Sequence, residues 1–329
     1  MMAYLRLIRL QNLVFIAFIQ IVMQFAVLNP ILQIFGFNVV FENNMLSLLI
    51  VASVLIAAGG YVLNDYFDIK IDSINRPEKQ IVGNLIPRRF AMILHQVLTG
   101  LGTFCGLLLA YFARSYTLAF IFIVVPGLLW FYSASYKRQF IIGNLVVSFI
   151  AALTVLVVGI TQMAFLQKEF GKLIFETPIP KEFYSWIGGF ALFSFLTTWI
   201  REIIKDMEDE KGDREMECRT MIIKWGTKKT KLFLYGLITI TCTGLFLFDR
   251  FFILFEGTLT IRYIIFGLVI PFLVLNYLIF NAKVPADYHQ ASTLTKVIML
   301  IGVIYGFIFY YLQAKTFGIS MFNLFILKN

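Results

Sequence analysis

The sequence contains few charged residues and few of the side chains that usually bind zinc or form disulfides. Only 14% of its 329 residues are charged and 60% are hydrophobic, whereas soluble domains have roughly 25% charged residues. Its three cysteines lie far apart, without CxxC spacing, so neither a disulfide framework nor a cysteine zinc site is expected. Little charge combined with abundant apolar side chains is typical of an integral membrane protein.

The chain also lacks the sequence features of a nucleic-acid-binding surface, although its net charge is +9. It has no basic stripe and no recognisable nucleic-acid-binding motif. Lys and Arg residues instead collect in short segments between long apolar runs, as they do in the cytoplasmic loops of membrane proteins. We therefore expect no nucleic-acid partner.

Long apolar runs dominate the sequence, and nine of them are long enough to cross a bilayer, which takes about 20 mainly apolar residues. The candidate spans are residues 12–29, 45–63, 90–112, 117–134, 141–165, 183–204, 230–248, 261–280 and 294–314. The alternation of apolar and polar residues that a membrane barrel requires is absent. The predicted fold is an all-α integral membrane protein with nine transmembrane helices.

The distribution of basic residues predicts the orientation of these spans. With the N-terminus in the cytoplasm, most of the 28 Lys and Arg residues fall in cytoplasmic segments, as the positive-inside rule requires. Most of the charge lies in two of those segments, residues 64–89 and 201–231. Because no Ser- or Pro-rich linker divides the chain, residues 1–329 are predicted to form a single domain.

Two sets of three aspartates follow the second and sixth predicted spans with the same spacing, D-x-x-D-x-x-x-D. They are Asp65, Asp68 and Asp72, then Asp206, Asp209 and Asp213. On a helix these positions share an arc of about 60°, where like charges repel unless a cation lies among them. Both sets face the same compartment, so a parallel repeat would bring them to one cavity. Such carboxylates suit Mg²⁺ bound together with substrate phosphates; the alternative is a solvated extension of each helix.

Basic residues accompany both acidic sets. They are Arg76 and Lys79 after the first set, Arg214 and Arg219 after the second, and Lys137 and Arg138 after the fourth span. Positive charges beside a metal site stabilise a departing diphosphate. Alternatively, each of them contributes only to the positive-inside signal.

The acidic segments resemble the two signature motifs of the UbiA superfamily of intramembrane prenyltransferases. "NDYFDIKID" is similar to the family's N-D-x-x-D-x-x-x-D motif, and "DMEDEKGD" to its second aspartate motif. "NRPEKQIVGN" resembles the segment N-R-P-x-K-P, with Gln80 at the last proline, and "FYSASYKRQFIIGN" resembles Y-S-x-x-x-K-R followed by G-N. The resemblance covers nearly the whole chain. It implies helices around a central cavity open to the cytoplasm, in a prokaryotic cell membrane.

By this resemblance, two Mg²⁺ ions hold an isoprenyl diphosphate donor, and a hydrophobic acceptor attacks the allylic carbocation that forms at C1. The implied metal ligands are Asn64, Asp65, Asp68, Asp72, Asp206, Asp209 and Asp213. The implied substrate-binding residues are Asn64, Arg76, Lys79, Tyr132, Lys137, Arg138, Arg214 and Arg219. The implied catalytic residues are Asp68, Asp209, Arg76 and Lys137. Tyr132 would orient the acceptor, or it belongs to the interfacial aromatic belt.

The segment "REIIKDMEDEKGDREMECRTM" most resembles the archaeal-type branch that alkylates geranylgeranylglyceryl phosphate, with Glu217 at a position where the family often has glycine. The resemblance implies this acceptor or a related membrane-lipid precursor. Prenylation of 1,4-dihydroxy-2-naphthoate or 4-hydroxybenzoate and intramembrane terpene cyclisation are alternatives. A divalent-cation transporter is a further alternative, disfavoured because transporter carboxylates lie near the bilayer midplane.

Overall fold

The computed structural model describes residues 2–37, 43–75, 77–252, 255, 257–322 and 324–326. The α-helices are α1 (Met2–Leu7), α2 (Leu10–Val22), α3 (Asn29–Ile34), α4 (Asn43–Phe67), α5 (Ile69–Asn75), α6 (Arg88–Phe112), α7 (Tyr116–Ala134), α8 (Ile142–Phe170), α9 (Ile179–Glu208), α10 (Glu210–Glu215), α11 (Met221–Phe252), α12 (Leu259–Tyr263), α13 (Ile270–Asn281) and α14 (Pro285–Phe317). Short 3₁₀-helices occupy Pro77–Lys79, Tyr136–Arg138 and Gly171–Glu176, and π-helices occupy Met23–Leu28 and Ile264–Val269. Strands β1 (Ser320–Met321) and β2 (Phe325–Ile326) pair antiparallel.

Nine helical segments in these ranges are long and apolar enough to cross a bilayer. They are Leu10–Ile34, Asn43–Phe67, Arg88–Phe112, Tyr116–Ala134, Ile142–Glu176, Ile179–Glu208, Met221–Phe252, Leu259–Asn281 and Pro285–Phe317. The predicted all-helical fold and all nine predicted spans are therefore confirmed. The structural helices extend past most predicted ends, because polar residues continue a helix once it has left the hydrocarbon.

The seventh span differs most from its predicted limits. Its helix α11 begins at Met221 rather than near residue 230 and contains one non-helical residue, Gly226, with φ 71° and ψ 171°. That backbone conformation is open to glycine and strained for other residues. The first turn of α11, which buries Met221 and Ile222, is therefore bent relative to the rest of the span.

Small residues let α4 and α6 pack closely. A Cβ added at Gly102 would lie 2.9 Å from the backbone nitrogen of Ile56 and 3.0 Å from the carbonyl oxygen of Ala52. Gly59, further along α4, faces Thr99 and the backbone of His95 in the same way. Small residues at such crossings are how membrane helices gain van der Waals contact without a hydrophobic driving force. The α4–α6 pair forms a rigid base for the polar segment that follows α4.

An apolar cavity of about 110 Å³ opens between α9, α11 and α14. Its lining includes Trp186, Phe190, Phe248 and Tyr305. Of these, Trp186 and Phe190 lie in the first half of α9, whereas Asp206 and Asp209 lie at its far end, and an α-helix rises 1.5 Å per residue. The cavity is therefore separate from the acidic segments.

Candidate active site

The first acidic set lies where α4 gives way to α5. Asp68 is the single residue between the two helices. The helical hydrogen-bond pattern nevertheless continues, because the Asp68 amide donates to the Asn64 carbonyl at 3.0 Å and the Asp72 amide donates to the Asp68 carbonyl at 2.8 Å. Asp is a poor helix former, which accounts for a break at this position.

The second acidic set repeats this arrangement at the end of α9. Asp209 is the single residue between α9 and α10 and has φ −95° and ψ 8°. Its amide donates to the Lys205 carbonyl at 2.9 Å, and the Asp213 amide donates to the Asp209 carbonyl at 3.2 Å. The middle aspartate of each set thus occupies the same structural position, as expected for a parallel repeat.

The two acidic segments contact each other through Asn75, the last residue of α5. Its side-chain amide donates to the Asp209 carbonyl at 3.2 Å, and its side-chain oxygen accepts from the Gly212 amide at 2.8 Å. Gly212 permits this approach, because a Cβ there would lie 2.5 Å from the Asn75 side-chain nitrogen. Segments distant in the sequence therefore meet at one end of the bundle.

Lys137 contacts the first acidic segment from the 3₁₀ turn after α7. Its ammonium lies 2.5 Å from one Asp68 oxygen and 3.0 Å from the Asn64 side-chain oxygen. Burial lowers the pKa of Lys137, an effect that the Asp68 carboxylate opposes. Gly143, at the start of α8, lets the helix lie against this turn, because a Cβ there would be 2.6 Å from the Lys137 Cα.

The first aspartate of each set, Asp65 or Asp206, already has a protein partner. Asp65 accepts a charged hydrogen bond from the Arg9 guanidinium at 2.8 Å, and that guanidinium also lies 5.0 Å from the centre of the Tyr61 ring. Asp206 accepts from the Asn144 side chain at 2.9 Å. Asp68 is engaged as well, because one of its oxygens accepts from the Lys137 ammonium and the other from the Asn64 side-chain amide at 2.8 Å.

The last aspartate of each set, Asp72 or Asp213, lies close to other carboxylates. Burial raises the pKa of Asp72 to about 7, and the carboxylates of Asp68 and Asp65 add to this effect. Burial and the Asp209 carboxylate raise the pKa of Asp213 to about 7 as well, with a further contribution from Asp68 across the two segments. Because burial and neighbouring carboxylates disfavour the ionised forms of these two groups, a bound cation would stabilise those forms.

The donor set fits Mg²⁺ that shares its coordination with a substrate. Carboxylate and amide oxygens are the ligands Mg²⁺ prefers, and it commonly takes only one or two carboxylates together with phosphate oxygens. Within the described ranges no three His, Cys, Asp or Glu side chains are gathered closely enough to hold an ion by themselves. A diphosphate would supply the remaining oxygens.

The other predicted substrate-binding residues differ in their exposure and in their hydrogen-bond partners. Arg138 donates to the Phe67 carbonyl at 3.4 Å, and its own carbonyl accepts from the Arg219 amide at 2.7 Å. The Arg219 side chain is exposed, and the exposed Arg214 pairs with Glu210 at 2.7 Å. Arg76 lies outside the described residues, as does the side chain of Lys79, whose backbone is in the Pro77–Lys79 turn.

Tyr132 lies near the end of α7, close to both acidic segments. It is half-buried and within electrostatic range of Asp68, Asp206 and Glu202. Tyr132 is thus near both sets, and its acceptor-orienting role stays a prediction. The aromatic-belt alternative stays open.

Sequence reasoning missed several residues that shape the site. They are Arg9, Asn75, Asn144 and Gly212. Asn75, Asn144 and Gly212 lie within the quoted motifs, whereas Arg9 lies in none of them. Glu217 was noted as replacing a glycine, and its φ of 55° is the left-handed conformation that glycine favours.

The model of the UbiA prenyltransferase family matches residues 31–292. The chain is 31% identical to digeranylgeranylglyceryl phosphate synthase of Sulfurisphaera tokodaii over 69% of this chain and 71% of the relative. It is also 31% identical to the synthase of the same name from Methanosphaera stadtmanae, over 76% and 83% of the two chains.

Solved structures share the fold. A digeranylgeranylglyceryl phosphate synthase superposes with a TM-score of 0.61 at 24% identity, over 94% of this chain and 97% of that chain. A UbiA homologue from Archaeoglobus fulgidus, bound to DMAPP and Mg²⁺, superposes with a TM-score of 0.56 at 16% identity, over 94% and 99%. At these identities the likeness concerns the fold.

Proposed function

The chain belongs to the UbiA prenyltransferase family, and we propose that it transfers an isoprenyl group from an isoprenyl diphosphate to a membrane-lipid acceptor in a Mg²⁺-dependent reaction. The observation that carries this proposal is the contact of the two acidic segments through Asn75 and Gly212. That contact forms one anion-and-metal site from residues far apart in the sequence. The acceptor we favour is geranylgeranylglyceryl phosphate or a closely related lipid precursor.

We assign the metal to the oxygens that face the junction of the two segments. Asp68 and Asp72 on one side and Asp209 and Asp213 on the other would hold two Mg²⁺ ions, with Asn64 as an amide ligand. Asp65 and Asp206 would support them from behind, since Arg9 and Asn144 engage these two carboxylates. When bound, Mg²⁺ neutralises the diphosphate and improves it as a leaving group.

The basic residues would stabilise the diphosphate as it departs. As the C1–O bond breaks, its electron pair passes to the diphosphate, and negative charge grows on oxygens that the Lys137 ammonium can reach from the Asp68 side. Donors fixed in place before the reaction contribute most to such charge stabilisation. Arg76, Lys79, Arg138, Arg214 and Arg219 are proposed as further diphosphate contacts. Among these, Arg214 must leave Glu210 to take part.

The acceptor would approach on the membrane side of the metal site. Its hydroxyl oxygen forms the new bond to C1 and releases a proton, while Tyr132 orients the acceptor from between the acidic segments. A carbocation survives only where water is excluded, and a bundle of this hydropathy supplies that environment. We further propose that residues 1–329 act as one domain, with the site opening to the cytoplasm.

The test is mass spectrometry of products from purified protein given geranylgeranyl diphosphate and three acceptors in parallel: geranylgeranylglyceryl phosphate, dihydroxynaphthoate and hydroxybenzoate. We expect a Mg²⁺-dependent ether product with the glyceryl phosphate only. A product with an aromatic acceptor would favour the quinone-precursor alternative, and a cyclic hydrocarbon without acceptor would favour a terpene cyclase. Absence of any product with every acceptor would refute transferase function.

Transport of a divalent cation is the less favoured function. The aspartates lie at the junctions that end α4 and α9 rather than within the middle of those helices. Transporter carboxylates lie near the bilayer midplane. Uptake of Mg²⁺ into proteoliposomes, abolished by Asp68→Asn, would reverse this judgement.

A further inference from the structure

A lysine ammonium already holds the carboxylate that the first acidic segment offers to a metal ion. The Lys137 nitrogen lies 2.5 Å from one Asp68 oxygen and 3.0 Å from the Asn64 side-chain oxygen. The other Asp68 oxygen accepts from the Asn64 side-chain amide at 2.8 Å. Every side-chain oxygen of these two predicted ligands is therefore engaged by a donor of the chain itself. A metal ion that coordinates them would meet the ammonium at the same atoms.

The ion pair of Lys137 with Asp68 is buried, unlike the exposed pair of Arg214 with Glu210. The exposed fractions of the side chains are 11% for Lys137 and 15% for Asp68, against 63% and 38% for the exposed pair. Water and salt screen a buried pair much less than an exposed one. The Lys137 backbone is also held in place, because Gly143 packs against its Cα. The ammonium therefore stays at Asp68 until a comparable cation replaces it there.

The positive charge of Lys137 acts on carboxylates of both acidic segments. Lys137 is within electrostatic range of Asp72 on the first segment and of Asp213 on the second, besides its contact with Asp68. These are carboxylates that we assigned to the metal. Two cations at the same carboxylate oxygens repel each other, and the repulsion grows as the local dielectric constant falls. Lys137 and a bare Mg²⁺ ion are therefore competitors for one position.

The remaining acids give a bare metal ion little to offset the loss of this ion pair. Asp65 is engaged by Arg9, and Asp206 accepts from a side-chain amide. Among the residues that the structure describes, no three acidic, His or Cys side chains converge closely enough to hold an ion. A metal ion that arrives with a diphosphate brings further oxygen ligands. The diphosphate also offers the displaced ammonium a new anionic partner, which the flexible lysine side chain can follow while its backbone stays in place.

We infer that Lys137 competes with the metal ion for Asp68, so that Mg²⁺ binds tightly only together with the diphosphate donor. This inference rests on the proposed transferase function and adds a control of metal loading to it. On donor binding the ammonium leaves Asp68 to the metal and passes to the diphosphate oxygens. When pyrophosphate leaves, the ammonium returns to Asp68 and favours release of the metal. The exchange changes coordination and hydrogen bonds and no covalent bond.

Metal binding by the donor-free protein tests this inference without requiring turnover. Electron paramagnetic resonance of Mn²⁺, used in place of Mg²⁺, would measure the affinity of the detergent-purified chain for the metal alone. We expect Lys137→Met to bind Mn²⁺ at least about 10-fold more tightly than the wild type, the effect of removing one charged hydrogen-bonded competitor. Lys137→Gln, which keeps a hydrogen-bonding group and serves if the methionine variant does not fold, should also bind Mn²⁺ more tightly. Lys228→Met, at an exposed lysine outside the site, should match the wild type.

A cleavage-resistant donor and a second substitution test whether Asp68 is the point of competition. Saturating geranylgeranyl thiodiphosphate should raise the Mn²⁺ affinity of the wild type by a larger factor than that of Lys137→Met, because the two ligands are coupled through Lys137. Adding Asp68→Asn should abolish the gain of Lys137→Met. Equal or weaker Mn²⁺ affinity in both Lys137 variants, or a gain that persists without the Asp68 carboxylate, would overturn the inference. Tight Mn²⁺ binding by Lys137→Met, with no prenyl product from the wild type on any acceptor, would refute the proposed function alone.

Discussion

The contact between Asn75 and Gly212 can be tested by adding one methyl group. In Gly212→Ala the new Cβ would lie 2.5 Å from the Asn75 side-chain nitrogen and 2.7 Å from its Cγ. Carbon and nitrogen atoms prefer about 3.5 Å or more, so the two segments must separate by about 1 Å, or the Asn75 amide must turn and lose both hydrogen bonds. A displacement of 1 Å at a reacting centre lowers rates by up to about 100-fold.

We therefore expect Gly212→Ala to lower kcat for prenyl transfer by about 10- to 100-fold, measured as product by mass spectrometry. The nine spans do not depend on this contact, so the melting temperature should change little. Gly236→Ala is the matched control, because Gly236 is an exposed helical glycine with no atom within 4 Å of an added Cβ. It should retain full activity.

The double variant of Asn75→Ala and Gly212→Ala tests whether the loss of activity in Gly212→Ala comes from its contact with Asn75. Asn75→Ala alone removes both hydrogen bonds, and it also removes the atoms that an alanine at position 212 would meet. Gly212→Ala should therefore add little to the loss in an Asn75→Ala background, a non-additivity typical of residues in contact. Wild-type kcat in Gly212→Ala, or fully additive losses, would show that the two segments need not touch for function.

Three further predictions concern residues of the same region. Asp68→Ala and Asp209→Ala should each lower activity by about 100-fold or more in a protein that still folds. Asp68→Ala should also lower the melting temperature, because it leaves the Lys137 ammonium without its carboxylate. A fully active Asp209→Ala would remove the second segment from the mechanism. Arg9→Ala should lower the melting temperature, because it leaves the Asp65 carboxylate without its cation, and adding Asp65→Asn should recover part of the loss. Glu217→Gly should raise the stability by about 1 kcal/mol in thermal unfolding, because φ 55° is strained for glutamate; no gain would mean that local contacts of Glu217 offset the strain.

The fold was predictable because hydropathy determines which segments enter a bilayer. The predicted number and order of spans agree with the structure. The start of α11 was not predictable, since Met221 to Trp225 is a mixed segment whose helix bends at Gly226. Glycine is common in membrane helices, and only the positive φ distinguishes this one.

The two acidic sets of the candidate site stand out in the sequence, whereas their partners in the structure do not. Regular spacing exposes Asp68 and Asp209 in the sequence, because the same interval occurs twice. The residues that pair with the acids, such as Arg9 and Asn144, belong to no repeated spacing in the sequence. Their role depends on which helices become neighbours, which is a property of the packed bundle rather than of any local pattern.

The two halves of the repeat share a backbone but differ where they enter the membrane. Superposing the two aspartate sets by sequence places Gly60 opposite Arg201 and Asn64 opposite Lys205. It also places Tyr61 opposite Glu202. The first half is thus uncharged at these three positions and the second has two bases and one acid, although both bear the same three aspartates. In the second half, Arg201 and Lys205 both pair with Glu202, so the additional charges form an ion-paired group within α9 itself. The repeat therefore keeps the three aspartates and their backbone junction, while the residues one to two turns before them differ.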